Sequence, residues 1–383
     1  MKVTFPHMGN AWIVIQTLFE SLDIEVVVPP FNSKRTLNLG IKLSPESACL
    51  PLKLNLGNYL EAAEQGADTI VITGGIGPCR FGLYGEMEQQ ILRDAGYKYE
   101  VVVLEPPDGS ILGLFKRIRY LAGRQNSWMR IAKALGFAYR KCVAVDRVED
   151  LIHIARPRLH RVLDIEELYQ EAKRRLSLSM TDKGIEETVR WVQDSIRERL
   201  REARRSSEDF SDPLRIGIIG EIYTILDPYT SGDVEQYLGR LGVEVDRSIY
   251  LSGWTAGHVF LGLASGYRSL KSYPRYAKPF LPHFVGGHGQ ETVGAAVKYA
   301  RDGYDGIIQI FPLTCMPEIV AASVLPQIQE AYKVPIMTLI VDEHSGQAGL
   351  HTRLEAFVDL LERAKIQRGA GQTRGGLLSV GGR

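Results

Sequence analysis

Two stretches, GADTIVITGGIGPC at residues 66–79 and GYDGIIQIFPLTC at residues 303–315, decide how this chain folds. Each follows a helical pattern and opens with Gly-x-Asp. Each continues as a short apolar run, Thr69–Thr73 or Gly306–Ile310, then breaks and reaches a cysteine. Runs of this length, rich in β-branched residues and bounded by glycine or proline, are central buried strands. From Gly to Cys the spacing is 13 positions in one and 12 in the other, so the chain repeats one local plan. Both cysteines fall just past the C-terminal end of a strand, which is where open α/β sheets bind ligands.

Outward from these anchors, strand and helix alternate on both sides. In the first lobe, Val3–Phe5, Glu25–Val28 and Tyr99–Leu104 read as further strands, with helices over Ala11–Leu22, Leu50–Gln65 and Glu86–Ala95. In the second, Arg215–Ile219, Glu244–Arg247 and Ile336–Val341 are strands, and Val234–Leu241, Thr292–Arg301, Pro317–Tyr332 and Arg353–Lys365 are helices. Residues 110–212 differ. They hold amphipathic helices over Ile111–Leu121, Trp128–Tyr139, Glu166–Leu178 and Ile185–Arg205, and few strand candidates. The expected class is α/β: two Rossmann-like lobes with mostly parallel sheets, joined by a helical segment. The expected units are an N-terminal α/β lobe at 1–109, a helical connector at 110–212, a C-terminal α/β lobe at 213–366 and a flexible, Gly-rich tail at 367–383.

Composition narrows the classes of function. A formal charge of +1 over 383 residues provides no global attraction for nucleic acid or an anionic membrane. The basic runs Lys173–Arg175 and Arg197–Arg205 are interleaved with acidic residues and read as solvated helix faces. No apolar run is long enough to span a bilayer, and MKVTFPHMGN lacks a signal-peptide core, so the expected location is the cytoplasm. Four cysteines in a reducing compartment are buried, catalytic or metal-bound rather than disulfide-paired.

Cys79 and Cys315 each lie near an expected helix start, whose positive end favours thiolate and lowers the thiol pKa. Cys49, in SPESACLP at residues 44–51, has the same setting, with Ser44 or Ser47 as a cap and Pro51 suited to a first turn. Three thiolates from separate segments fit an iron–sulfur cluster with one iron left open better than a compact Cys-x-x-Cys zinc site. The alternative is that all three are ordinary buried cysteines. Cys142, inside the helical section without a Pro or Gly neighbour, reads as a small buried residue.

The blocks PHMGN at 6–10, SPESACLPLK at 44–53, GPCRFGLYGE at 77–86, GEIYTILDP at 220–228, FPLTCMPEI at 311–319 and DEHSGQAGLHTRLEAF at 342–357 carry a resemblance. The chain resembles the acyl-CoA dehydratase activase-related proteins, also called CoA protein activases. These are similar to the cluster-bearing subunits of 2-hydroxyacyl-CoA dehydratases and benzoyl-CoA reductases, and to double-cubane cluster proteins. The resemblance implies paired α/β lobes and an oxygen-sensitive cluster, [4Fe–4S] in type, held by Cys49, Cys79 and Cys315, with no counterpart for Cys142. It also implies a partner: an ATP-hydrolysing activator with its own cluster that delivers one low-potential electron, in a homo- or heterodimeric setting.

In-chain ATP binding is not expected, because no G-x-x-x-x-G-K-[ST] is present. Thr73–Gly77 is glycine-rich but misses the dinucleotide fingerprint, and suits instead the close approach of a bulky cluster to backbone amides. Weaker catalytic candidates are Arg80 beside Cys79, Glu86 and Glu318 after the cysteines, and His344 after the strand Ile336–Val341. The bland alternative is a surface ion pair for Arg80, a helix cap or salt bridge for Glu86 and Glu318, and a helix cap for His344, which could otherwise supply a fourth iron ligand or donate a proton. Glu221 is a further acid at a strand end. His283, His288 and Glu291 lack H-E-x-x-H spacing, and no G-x-S-x-G occurs, so zinc-hydrolase and α/β-hydrolase chemistries are not expected. The expected function is an iron–sulfur reductase or dehydratase that acts on a small or CoA-linked substrate at an open cluster iron. The alternatives are a non-catalytic electron-transfer or cluster-carrier protein, or a double-cubane reductase. Six thiolates would then have to come from two chains.

Overall fold

The computed structural model describes residues 1–74, 79–104, 111–159, 164–205, 212–258, 267–268 and 270–377. The glycine–proline break after Thr73, most of the polar stretch before Asp212 and residues 378–383 of the tail lie outside them.

The first lobe runs β1 (Lys2–Thr4), α1 (Ala11–Glu20), β2 (Glu25–Val26), α2 (Lys34–Ile41), α3 (Leu50–Glu64), β3 (Thr69–Thr73), α4 (Tyr84–Asp94) and β4 (Glu100–Leu104). Four helices follow: α5 (Ile111–Ala122), α6 (Trp128–Ala155), α7 (Asp164–Leu178) and α8 (Asp182–Arg205). The second lobe runs β5 (Leu214–Gly220), α9 (Ile222–Leu226), α10 (Pro228–Ser231), α11 (Val234–Arg240), β6 (Val243–Arg247), α12 (Leu251–His258), α13 (Tyr273–Ala277), α14 (Gly289–Arg301), β7 (Gly306–Pro312), α15 (Met316–Tyr332), β8 (Ile336–Val341) and α16 (Gln347–Leu377).

Each lobe holds a four-stranded parallel sheet, with orders β2-β1-β3-β4 and β6-β5-β7-β8. The two orders are the same, with β1 matched to β5 and β3 to β7. The chain is an α/β protein of two Rossmann-like lobes. In each sheet the order reverses between its first and third strands, so the crevice beyond β1 and β3, and that beyond β5 and β7, is the ligand position of the fold. β7 is buried along its whole length, and the apolar runs of β5 and β7 suit sheets covered on both faces.

Three elements differ from expectation. α6 is 28 residues long, roughly 42 Å, and passes well beyond Tyr139. Its N-terminal part and α5 pack into the first lobe's core through Leu121, Ala122, Ile131 and Ala134. Its C-terminal part reaches the second lobe, where Arg247 pairs with Glu149 and where Asp150 accepts from the Tyr250 hydroxyl (3.0 Å) and from Arg268 (2.9 Å). The packing therefore crosses the line drawn at residue 109. α2 was not anticipated, because Lys34–Ile41 alternates polar and apolar residues weakly; Ser33 caps it by accepting from Thr36 N. α16 begins at Gln347 and continues to Leu377, where a featureless tail was expected after residue 366.

α3 is the hinge of the packing. Residues Leu50 to Ala62 are all buried, as expected of a helix enclosed on every side. Leu50 and Leu54 lie in the second lobe's core, while Leu52, Leu56, Tyr59 and Leu60 lie in the first lobe's. The lobes also meet at the loop after β1. The Tyr223 hydroxyl donates to His7 O (2.6 Å), and Asn32 Nδ2 donates to both His7 O (3.1 Å) and Tyr223 Oη (3.0 Å). Gly9 is at φ +49, and a Cβ there would fall 2.0 Å from Leu226 O, so only glycine permits this approach.

Candidate functional site

Cys49, Cys79 and Cys315 occupy one structural role. Each is the N-cap of a helix with extended backbone: Cys49 of α3, Cys315 of α15, and Cys79 of a 3₁₀ turn (Arg80–Leu83) that runs into α4. Proline in the first turn, Pro51 or Pro317, starts two of these helices with φ already set. None of the three thiols is used as a side-chain cap, and none is in a disulfide. Cys49 and Cys79 are half-buried, and Cys315 is buried.

Arg80 draws the three segments together. Its Nη1 donates to Ser47 O (2.8 Å), two residues before Cys49. Its Nη2 donates to Thr314 O (3.0 Å) and Thr314 Oγ1 (2.7 Å), one residue before Cys315. Thr314 Oγ1 also lies 3.3 Å from Ser47 O, as donor. Thr314 has φ +71, which is strained for a β-branched residue; such a conformation persists only where its surroundings hold it. The fork of one guanidinium thus spans both lobes and all three cysteine-bearing segments.

The electrostatics correct one expectation. The helix starts were expected to lower the thiol pKa values, yet all three are raised. Burial raises Cys49 most, and Glu221 adds to it, against hydrogen bonding from Tyr84 and the charge of Arg80. Burial raises Cys79, helped by Glu221 and Glu318. Burial raises Cys315 far above the ordinary thiol range, again with Glu221 and Glu318 adding. Loss of water outweighs the helix dipole here, because a dipole end contributes only about 0.3–2 kcal/mol. Three neutral thiols around Glu221 become thiolates only with a compensating cation, and a coordinated metal supplies that charge directly. In this sense the donor set fits a cluster. Among the described residues no three His, Cys, Asp or Glu side chains gather closely enough for a single metal ion. A four-iron cluster is wider than one ion and holds its sulfur ligands further apart.

The other candidates separate. Glu318 is buried and accepts from Thr292 Oγ1 (2.8 Å) and Gln309 Nε2 (2.9 Å); burial pushes its carboxyl up to about 7. Glu86 is exposed in the first turn of α4. The buried acid of that helix is Glu88, which accepts from Asn55 Nδ2 (2.9 Å) and the Tyr59 hydroxyl (3.0 Å) and is pushed up to about 8 by burial. His344 is exposed, its backbone N–H donating to Asp342 Oδ1 (3.0 Å); the buried contact in that loop is Glu343 with Lys53. Glu221 caps α9, accepting from Tyr223 N (3.0 Å) and Thr224 N (2.9 Å). Cys142 is buried on α6, where burial and Asp146 raise its thiol.

Sequence reasoning missed Tyr84, whose hydroxyl meets the Cys49 sulfur, and the buried Lys53. Both lie inside quoted blocks, Tyr84 two residues from Glu86 and Lys53 four from Cys49, but neither type signals a contact that forms across the fold.

Residues 7–72 match the CoA enzyme activase uncharacterised domain (DUF2229). The match runs from the loop after β1 into β3, so it takes in Cys49 but stops before Cys79 and Cys315. The likeness to activase-related proteins is therefore carried by the N-terminal lobe. No curated protein matches the chain. No helix among the described residues is long and apolar enough to cross a membrane.

Proposed function

We propose that this chain binds one [4Fe–4S] cluster between its lobes through Cys49, Cys79 and Cys315. In this reading it receives low-potential electrons from a separate ATP-hydrolysing activator and acts as a reductase or dehydratase on a small or CoA-linked substrate. One observation carries the reading: three cysteines, each heading a helix, come from segments that a single arginine ties together. When bound, such a cluster supplies one-electron transfer and, at an iron without a cysteine, Lewis acidity toward a substrate oxygen.

The chain's own residues then have defined work. The three helix N-termini and Arg80 balance the negative charge of the thiolates. Arg80 also holds Ser47 and Thr314 in place, so the sulfurs keep fixed separations. Leu83, Leu313, Met316 and Ile319 are exposed apolar residues within four positions of Cys79 or Cys315, a rim suited to an electron-donating partner. ATP hydrolysis belongs to that partner.

The test is anaerobic purification, with iron and sulfide counts and EPR of the reduced protein. Close to four irons and four sulfides per chain, with a reduced-state signal, is the expected result. An iron-free protein that also resists reconstitution overturns the proposal.

A further inference from the structure

The likeness of the two lobes extends to single hydrogen bonds. α3 and α14 are each followed by a glycine at positive φ, Gly66 (84°) and Gly303 (74°). Asp68 and Asp305 come next but one. Asp68 N donates to Lys2 O (3.0 Å), and Asp68 Oδ1 accepts from Lys2 N (2.8 Å). Asp305 N donates to Arg215 O (2.9 Å), and Asp305 Oδ2 accepts from Arg215 N (3.0 Å). The same clamp thus fixes β3 beside β1 and β7 beside β5, and it matches Cys79 to Cys315.

Followed backward through the preceding helices, the repeat also matches their N-caps. Cys49 heads α3, and His288 heads α14. The helices are 15 and 13 residues long, so the two caps share a structural position but not a sequence spacing. That difference hides the match from any search by interval.

The loop around His288 reaches the cysteines. Gly287 is at φ +46; a Cβ on it would lie 3.9 Å from Cys79 Sγ and 3.0 Å from Pro317 Cγ. A Cβ on Gly289 would fall 2.5 Å from Pro317 O, a contact that forbids any side chain. Pro317 stands in the first turn of the helix that Cys315 heads. The loop is therefore pressed between the Cys79 sulfur and the Cys315 helix, and glycine flanks the histidine on both sides to allow it. His288 itself is half-buried.

We propose that His288 is the fourth ligand of the cluster, at the iron that the three cysteines leave without a thiolate. The inference rests on the cluster reading above. The repeat supplies two pairs of donors, Cys79 with Cys315 and Cys49 with His288, for four irons. A neutral imidazole in place of a thiolate removes one negative charge and raises the reduction potential, as histidine ligation does in other clusters. At that position His288 would hold the iron by a weaker ligand than thiolate, one that a substrate oxygen could replace.

The experiment uses the full chain carrying ¹⁵N-histidine, loaded anaerobically, reduced, and measured by pulsed EPR. A coupling from a histidine nitrogen is expected in the unaltered protein, lost in His288→Ala and kept in His283→Ala. His288→Cys is expected to keep its iron and shift to a lower potential. Four irons bound with no histidine coupling, or a coupling that survives His288→Ala, overturns the proposal and leaves the cluster reading intact. Failure of the unaltered chain to bind iron overturns the cluster reading instead.

Discussion

The first lobe carries two of the three converging cysteines, and the second carries one. Everything that builds the sheets is repeated: strand order, the Gly-x-Asp clamp, and a cysteine as N-cap beyond the third strand. One difference lies at the helix starts that face the other lobe. α3 begins with Cys49 and is buried along its length between the two cores, whereas α14 begins with His288 in a glycine loop. Repetition preserves what the backbone needs.

The largest expected effect tests whether the matched cysteines are equal. Cys79→Ser and Cys315→Ser should each abolish nearly all bound iron, while Cys142→Ser should leave the iron count unchanged. If one of the first pair keeps its iron, the lobes do not contribute alike.

Next comes the asymmetry of α3. Leu54 is fully buried in the core of the lobe opposite its own, so Leu54→Ala should cost about 2–5 kcal/mol in urea unfolding. Lys53→Met removes the partner of Glu343 and should cost about 1–3 kcal/mol. A change near zero in both would show that α3 does not bind the lobes together.

The buried acids Glu88 and Glu318 give each lobe its own pH response. Their folded pKa values, about 8 and about 7, lie above the ordinary 4.5. Between the unfolded and folded values the unfolded chain has released a proton that the folded chain keeps. Stability from these groups is therefore complete below about 4.5 and is lost as pH rises through about 7 for Glu318 and about 8 for Glu88. The urea midpoint should fall as pH is raised from 5 to 8.5. Glu88→Gln should flatten the upper part of that fall and Glu318→Gln the lower. An unchanged slope in both would remove the carboxylates as its cause.

The smallest effect on stability, with a clear effect on the site, belongs to Arg80→Lys. Arg80 is exposed, so unfolding should shift by under about 1 kcal/mol. A single ammonium cannot span Ser47 and Thr314 as the fork does, so iron should leave the variant faster under a chelator. Equal iron lifetimes would show that the clamp is incidental.

Several features were decided by the sequence itself. The β-branched runs Thr69–Thr73 and Ile336–Val341 form strands with those same limits, because a short apolar stretch bounded by turn residues has no other way to be buried. Alternation of strand and helix determined the parallel sheets, and the repeated Gly-x-Asp determined that there are two. Tertiary structure alone decided the length of α6 and the hidden place of α3, because each depends on surfaces far away in the chain. It alone decided that Glu88 rather than Glu86 is the buried acid, since the two lie on opposite faces of one helix turn and only packing decides which face is covered. It also reversed the sign of the cysteine pKa shifts. A helix start is legible in sequence, but the loss of water that outweighs it arises only when two lobes close over the same three sulfurs.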